Sequence, residues 1–407
     1  MAFRFKNLGP GVLVAAAFIG PGTVTVCTVA GVRFGYSLLW ALAIATLATV
    51  LLQEMAARLG LVAQKGLAKA VREQIQSRTF RILAVALILT AIVLGNAAYE
   101  AGNISGGILG LQALDLGYPM QWNDYTINLW PLLLGGLAFV LLWQGSYRLL
   151  ERFLVALVLL MSASFILSAI LTAPALSILI QNLLVPTAPE DSLLTIIALV
   201  GTTVVPYNLF LHASLVQEKW KGVKELAFAK ADTYIAVILG GLVSMCILIA
   251  AAAIDRTEVQ SALDLAEALV PLYGTYAKYC IAIGLFAAGL TSAITAPLAA
   301  AYVAQGCLGW EQGLKTKGFR AIWMLILISG TLGAVSGIKP LFIIQIAQVA
   351  NGVLLPVIAG FLLWIVNRKQ LMGSYTNGWL GNILGIILVL ATLVLGMRSI
   401  FKVLGIL

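Results

Sequence analysis

The sequence predicts an all-α integral membrane protein of eleven spanning helices, arranged as two five-helix inverted repeats plus one extra helix, with helices 1 and 6 interrupted. Three observations carry this. Of 407 residues, 61% are hydrophobic and 10% charged, with a mean hydropathy of +1.02. The apolar residues fall into eleven runs of spanning length, and the first and sixth runs are broken at mid-depth. Soluble domains carry about 25% charged residues, so most of this chain is relieved of facing water.

A hydrocarbon core takes roughly 20 apolar residues per helix. On that measure the spans lie at about 11–33, 37–58, 81–110, 129–147, 152–182, 192–217, 231–254, 273–307, 319–337, 341–366 and 378–402. The connections at 59–80, 111–129, 255–272 and 367–378 are too short to build a core of their own. The whole of 1–407 therefore reads as one transmembrane domain, with repeat 1 at about 11–182, repeat 2 at about 192–366 and the extra helix at about 378–402.

The net charge of +9 reads as topology. Of the 25 Lys and Arg residues, nineteen fall on the side of the N-terminus. Only Arg33, Arg256, Lys278, Lys339, Arg398 and Lys402 fall on the other. The positive-inside rule then places the N-terminus in the cytoplasm and the C-terminus outside, with the plasma membrane as the expected location. A nucleic-acid role loses its support. The opening MAFRFKNLGP runs straight into the first span without a small-residue cleavage site, so a removable signal peptide is not expected. Cys27, Cys246, Cys280 and Cys307 show no CxxC or His-Cys spacing and read as small buried hydrophobes.

Span one contains Gly20-Pro21-Gly22-Thr23, and span six contains Val204-Val205-Pro206-Tyr207-Asn208. Proline removes a backbone donor and glycine lowers the cost of non-helical dihedrals. Either break alone reads as a proline kink. Two breaks five spans apart, at matching places in two halves, mark a transporter whose substrate binds between discontinuous helices.

The opening segment LGPGVLVAAAFIGPGTVTVCTVAGVRFGYSLLW resembles the start of the Nramp family of divalent-metal transporters. Span six, VGTTVVPYNLFLHASLVQ, resembles the family's Met-Pro-His-Asn helix; FAAGLTSAITAPLAAAYVAQG resembles its Ser/Thr-rich helix, and QVANGVLLPVI its Gln-containing one. The resemblance covers essentially the whole chain and implies the sodium-symporter-like fold. It also implies a site. Family members hold a largely dehydrated transition metal with an Asp and an Asn of the first broken helix and a Met and a backbone carbonyl of the sixth. In this chain those side-chain positions are Gly20, Thr23 and Val205, with Pro21 and Gly22 between the first two. The family's His is Tyr207, followed by Asn208; the small residue one turn before the Met position is Thr202, followed by Thr203. Gln348 and Asn351 come from span ten. In span three, the Asp and Glu that serve proton release are Asn96 and Tyr99, with Glu100 displaced by one position.

Such a site offers neutral dipoles only, whereas divalent cations take anionic or soft ligands. Two half-helix N-termini with no carboxylate between them favour an anion. The expected cargo is a small anion such as bicarbonate, or a small polar solute, moved by secondary active transport. Sodium is the expected coupling ion, held by Thr291, Ser292 and Thr295 of span eight. Those hydroxyls equally suit helix-to-helix or back-bonding roles. The alternative is a proton-coupled divalent-metal transporter of Mn or Mg type using backbone carbonyls and water; a second alternative is a non-transporting sensor.

Glu100, an intramembrane acid, and His212, the one histidine, are candidates for the proton or ion pathway. A structural hydrogen bond suits His212 as well. Glu54 reads as the i,i+4 partner of Arg58, and Asp232 as a cap opening span seven. No nucleotide loop, nucleophile elbow or HExxH occurs, so an enzyme is not expected, nor any cofactor, required protein partner or side-chain metal site. The expected partners are the lipid bilayer and a small inorganic ion or solute.

Overall fold

The structure is a computed structural model that describes residues 19–122, 125–145, 148–310 and 313–403. Eleven helices occupy the expected spans in order. They are α1 (Pro21–Phe34), α2 (Leu39–Ala63), α3 (Arg78–Gln112), α4 (Trp130–Gln144), α5 (Arg148–Leu171), α6 in two pieces, α6a (Leu193–Thr203) and α6b (Pro206–Lys219), α7 (Leu226–Ala251), α8 (Ala277–Leu308), α9 (Lys317–Val335), α10 (Pro340–Val366) and α11 (Trp379–Val403). Among the described residues, nine helical stretches are long and apolar enough to cross a membrane. The other two are α4, at 15 residues, and α1, whose span begins at residues that lie outside the described ones.

The helices pack in two groups. In one, α7 lies along α1 and α2, while α6a and α6b contact α2 and α6a contacts α1. In the other, α3 runs against α8, α9 and α10. The pairs α1 and α6a, α2 and α7, and α3 and α8, each five spans apart, are in contact. Small residues let the backbones close: a Cβ at Gly201 of α6a would overlap the Gln348 carbonyl of α10, and one at Gly289 of α8 would sit 2.6 Å from the Gly107 nitrogen of α3. This is the usual basis of helix association in lipid, where burial from water no longer drives contact.

Four local features depart from the sequence reading. Span five ends at Leu171, and a separate helix, Leu176–Leu184, follows Pro174. A short helix, Leu67–Gln74, fills the connection after α2. The connection at 111–129 holds a hairpin, β1 (Met120–Trp122) and β2 (Tyr125–Ile127), pairing Met120 with Ile127 and Trp122 with Tyr125. The cap expected of Asp232 is corrected: α7 begins at Leu226, and Asp232 is buried in its second turn.

Candidate functional site between the broken helices

Both breaks leave a helix start without a capping side chain. At α6, residues Val204 (φ −104°, ψ 75°) and Val205 (φ −75°, ψ 119°) leave helical geometry, and Pro206 opens α6b at its first position, where a missing N–H costs nothing. At α1, Gly20 is extended and Pro21 again occupies the first turn. Neither first turn contains an acid. One carbonyl freed by the α6 break is taken up from outside: Thr49 Oγ1 of α2 donates to Thr203 O at 3.2 Å. Thr203 Oγ1 donates to Leu199 O of its own helix.

The two breaks meet at one bond. Thr23 Oγ1 and Thr202 Oγ1 lie 2.8 Å apart, both buried. Beside them, the Gln348 amide presses on Gly22 so closely that a Cβ there would overlap its Nε2, and Asn351 Nδ2 stands 3.5 Å from Gln348 Oε1. Pro21 packs on Gly106 of α3. Thus Pro21, Gly22, Thr23, Thr202, Gln348 and Asn351 come together from three helices. Val205 is the residue that caps α6b, and Gly20 the one that caps α1.

Several buried polar atoms here have no hydrogen-bond partner among the described residues. They include both amide atoms of Asn208 and the hydroxyls of Thr25 and Thr28. Tyr207 meets Tyr99 of α3 edge to face, ring centroids 5.4 Å apart. Such orphans are rare in native interiors. Thr25 and Thr28 escaped the sequence reading, although a Thr-x-Thr-x-x-Thr run in an apolar helix was the available signal.

The remaining candidates lie on α3, α6b and α8. Thr291 and Thr295 donate to Ala287 O and Thr291 O, the back-bonding that Thr commonly makes in membrane helices. Glu100 packs against Gly330 of α9, with one carboxylate oxygen accepting from Asn103 Nδ2 at 3.2 Å and the other without a hydrogen-bond partner among the described residues. Asn96 Nδ2 donates to Ala296 O of α8. His212 Nδ1 lies 2.7 Å from Gln53 Oε1 of α2; since that oxygen only accepts, Nδ1 carries the proton. Nε2 faces Thr233 of α7 at 3.5 Å. Gln53 was not foreseen, because nothing in its local sequence marks it.

A cavity of about 560 Å³ opens at the end of the bundle where α6b and α8 finish, and Phe210, one turn past Pro206, lines it. Its charged lining is Lys69, Arg72 and Lys221 against Glu218. Among the described residues, no group of three or more His, Cys, Asp or Glu side chains could hold a metal ion.

The Nramp family model, described as natural resistance-associated macrophage protein-like, matches residues 11–402. The chain belongs to the Nramp family. It is 30% identical over 393 residues to the divalent metal cation transporter MntH of Mesorhizobium japonicum, covering 91% of this chain and 83% of that one. It is 28% identical over 399 residues to the metal transporter nramp1 homolog of Dictyostelium discoideum, covering 93% and 72%. Among solved structures, the manganese transporter of Eremococcus coleocola superposes with a TM-score of 0.73 at 21% identity, over 97% of this chain and 86% of the other. Mhp1, a nucleobase-cation-symport-1 transporter, superposes at 0.57 with 16% identity, over 98% and 94%. These two likenesses concern the fold alone. This Nramp chain is thus a multi-pass secondary transporter, and Thr23, Thr202 and their neighbours sit where the two broken helices of its fold converge.

Proposed function

We propose that the chain carries a small inorganic ion by alternating access, binding it between the broken ends of α1 and α6 with hydroxyl, amide and backbone groups and no carboxylate. The observation that supports this most directly is the buried Thr23–Thr202 hydroxyl pair joining the two breaks. A hydroxyl pair can open toward a guest by rotating two torsions, whereas a charged pair would resist separation.

Kinship gives the first reading of the cargo. The MntH relatives are named as divalent metal cation transporters, and a metal ion here would keep part of its water shell and take the remaining bonds from hydroxyl and carbonyl oxygens. Proton coupling would then fall to Glu100.

A specific observation favours a second reading, a small anion such as bicarbonate with sodium as the driving ion. The uncapped helix starts present N–H groups with no acid in either first turn. The lining of the cavity at the ends of α6b and α8 also carries more basic than acidic side chains, a field that concentrates anions and repels divalent cations. Thr291, Ser292 and Thr295 would supply oxygens to the sodium. On the positive-inside count this cavity faces the cytoplasm.

The test is uptake by reconstituted proteoliposomes with Mn, Mg, bicarbonate and sodium varied independently. Saturable Mn or Mg flux, indifferent to sodium and bicarbonate, supports the first reading and removes the second. Bicarbonate flux lost on replacing sodium with choline at constant pH does the reverse. No flux of any of them under these gradients defeats the proposal as a whole.

A further inference from the structure

The lipid-facing side of α10 carries two grooves that the transport site does not use. One, of about 570 Å³, lies between α10 and α11 and is lined by Leu363, Asn382 and Ile386; the other, of about 420 Å³, lies between α3 and α10 and is lined by Leu87, Val357 and Phe361. Gly360 and Trp364 border both. The grooves therefore flank one ridge, and they communicate at Gly360, where an added Cβ would meet nothing within 4 Å.

At the polar end of the ridge, the Arg368 guanidinium sits 4.3 Å above the Trp364 ring. Asn367 is already engaged, donating to Leu363 O and to Asn382 Oδ1 at 2.7 Å. Arg368 is exposed and has no carboxylate partner among the described residues. Lys369 follows it, and Arg78 and Arg81 open α3 just beyond Ile75, which lines the second groove. A tryptophan at a helix end, a stacked arginine and further basic residues describe a membrane interface, with the apolar grooves running from it into the hydrocarbon.

We propose that this surface binds one anionic phospholipid, its phosphate on Arg368 and its two acyl chains lying on either side of the Gly360–Trp364 ridge. Charge complementarity selects the headgroup, since basic pockets between membrane helices recognise anionic lipids. The paired grooves select a molecule with two chains over a single helix of another protein. α11 already packs on α10, and its outer face is largely exposed; the bound lipid extends that contact across α10 to α3. The inference rests only on the membrane setting and is independent of the cargo.

The test is native mass spectrometry and thermal unfolding of the purified, delipidated full chain, titrated with phosphatidylglycerol or phosphatidylethanolamine. One phosphatidylglycerol per chain is expected, bound about fivefold more tightly than phosphatidylethanolamine, the scale of one basic contact at a membrane surface. Arg368→Gln is expected to erase that preference, and Gly360→Leu, which fills open space, to displace both lipids while leaving helicity and elution volume unchanged. If Gly360→Leu misfolds, Arg368→Gln decides alone. Equal binding of the two lipids by the natural chain, retention of the preference by Arg368→Gln, or a dimer that holds no lipid overturns the proposal.

Discussion

Two buried polar regions of this protein are built on opposite rules. Near the end of α2, Glu54 accepts from Arg58 at 2.9 Å and from Lys230 of α7 at 2.9 Å, while Arg58 also donates to Tyr375 O and Asn377 Oδ1, each at 2.5 Å. Every charge there has a fixed partner, and the cluster pins the connection before α11 to α2 and α7. Between the broken helices there is no formal charge, yet Asn208, Thr25 and Thr28 keep polar atoms without a partner among the described residues. A network that holds structure saturates its hydrogen bonds; a site meant for a guest leaves some open.

That contrast can be broken from either side. The largest effect is expected at Arg58→Ala, which strips Glu54 of its bidentate partner, leaving it Lys230 alone, and releases the 375–377 connection. Removing one member of a buried ion pair costs about 3–5 kcal/mol, read as a fall in the thermal midpoint and in membrane yield; an unchanged midpoint would mean the cluster is ornamental. Next is Thr202→Val, which removes one hydroxyl of the pair that joins the two breaks. A hydrogen bond to a charged group is worth about 1.5–3 kcal/mol, so the apparent affinity for the transported ion should drop by about tenfold or more, with the folded protein still recovered. Asn208→Leu sharpens the comparison because its two readouts move in opposite directions. Removing two unpartnered polar atoms should leave stability unchanged or raise it by about 1 kcal/mol, while uptake falls; a loss of stability would show that Asn208 is structural. The smallest effect belongs to His212→Gln, which replaces one hydrogen-bonding group by another between Gln53 and Thr233. It should cost about 1 kcal/mol or less and leave the pH profile of uptake in place. A shifted profile would return His212 to the proton path.

The residues at the breaks were the most legible part of the chain. Gly20-Pro21-Gly22 and Val205-Pro206 act on the backbone locally, so their effect follows from residue type. The pairing of Glu54 with Arg58 was legible for the same reason, being one helical turn apart. Lys230 and Tyr375, which complete that cluster, lie far along the chain and carry no local mark. Thr291, Ser292 and Thr295 illustrate the converse: their composition suggested an ion site, and the structure shows two of the three bonded within their own helix, a choice that side-chain torsions make and composition does not reveal.

By itself, then, the sequence determined the membrane class, the eleven spans, the two interruptions and the absence of a carboxylate at the expected cargo position, because hydropathy, proline and glycine act over distances shorter than a helix. Only the tertiary structure decided that Thr23 bonds Thr202, that the Gln348 amide closes on Gly22, that His212 is held by Gln53, and which polar atoms remain open. Those outcomes depend on how helices distant in sequence rotate against one another, and in lipid that rotation is set by the fit of small residues such as Gly201 and Gly289, a property of pairs of surfaces that no single segment contains.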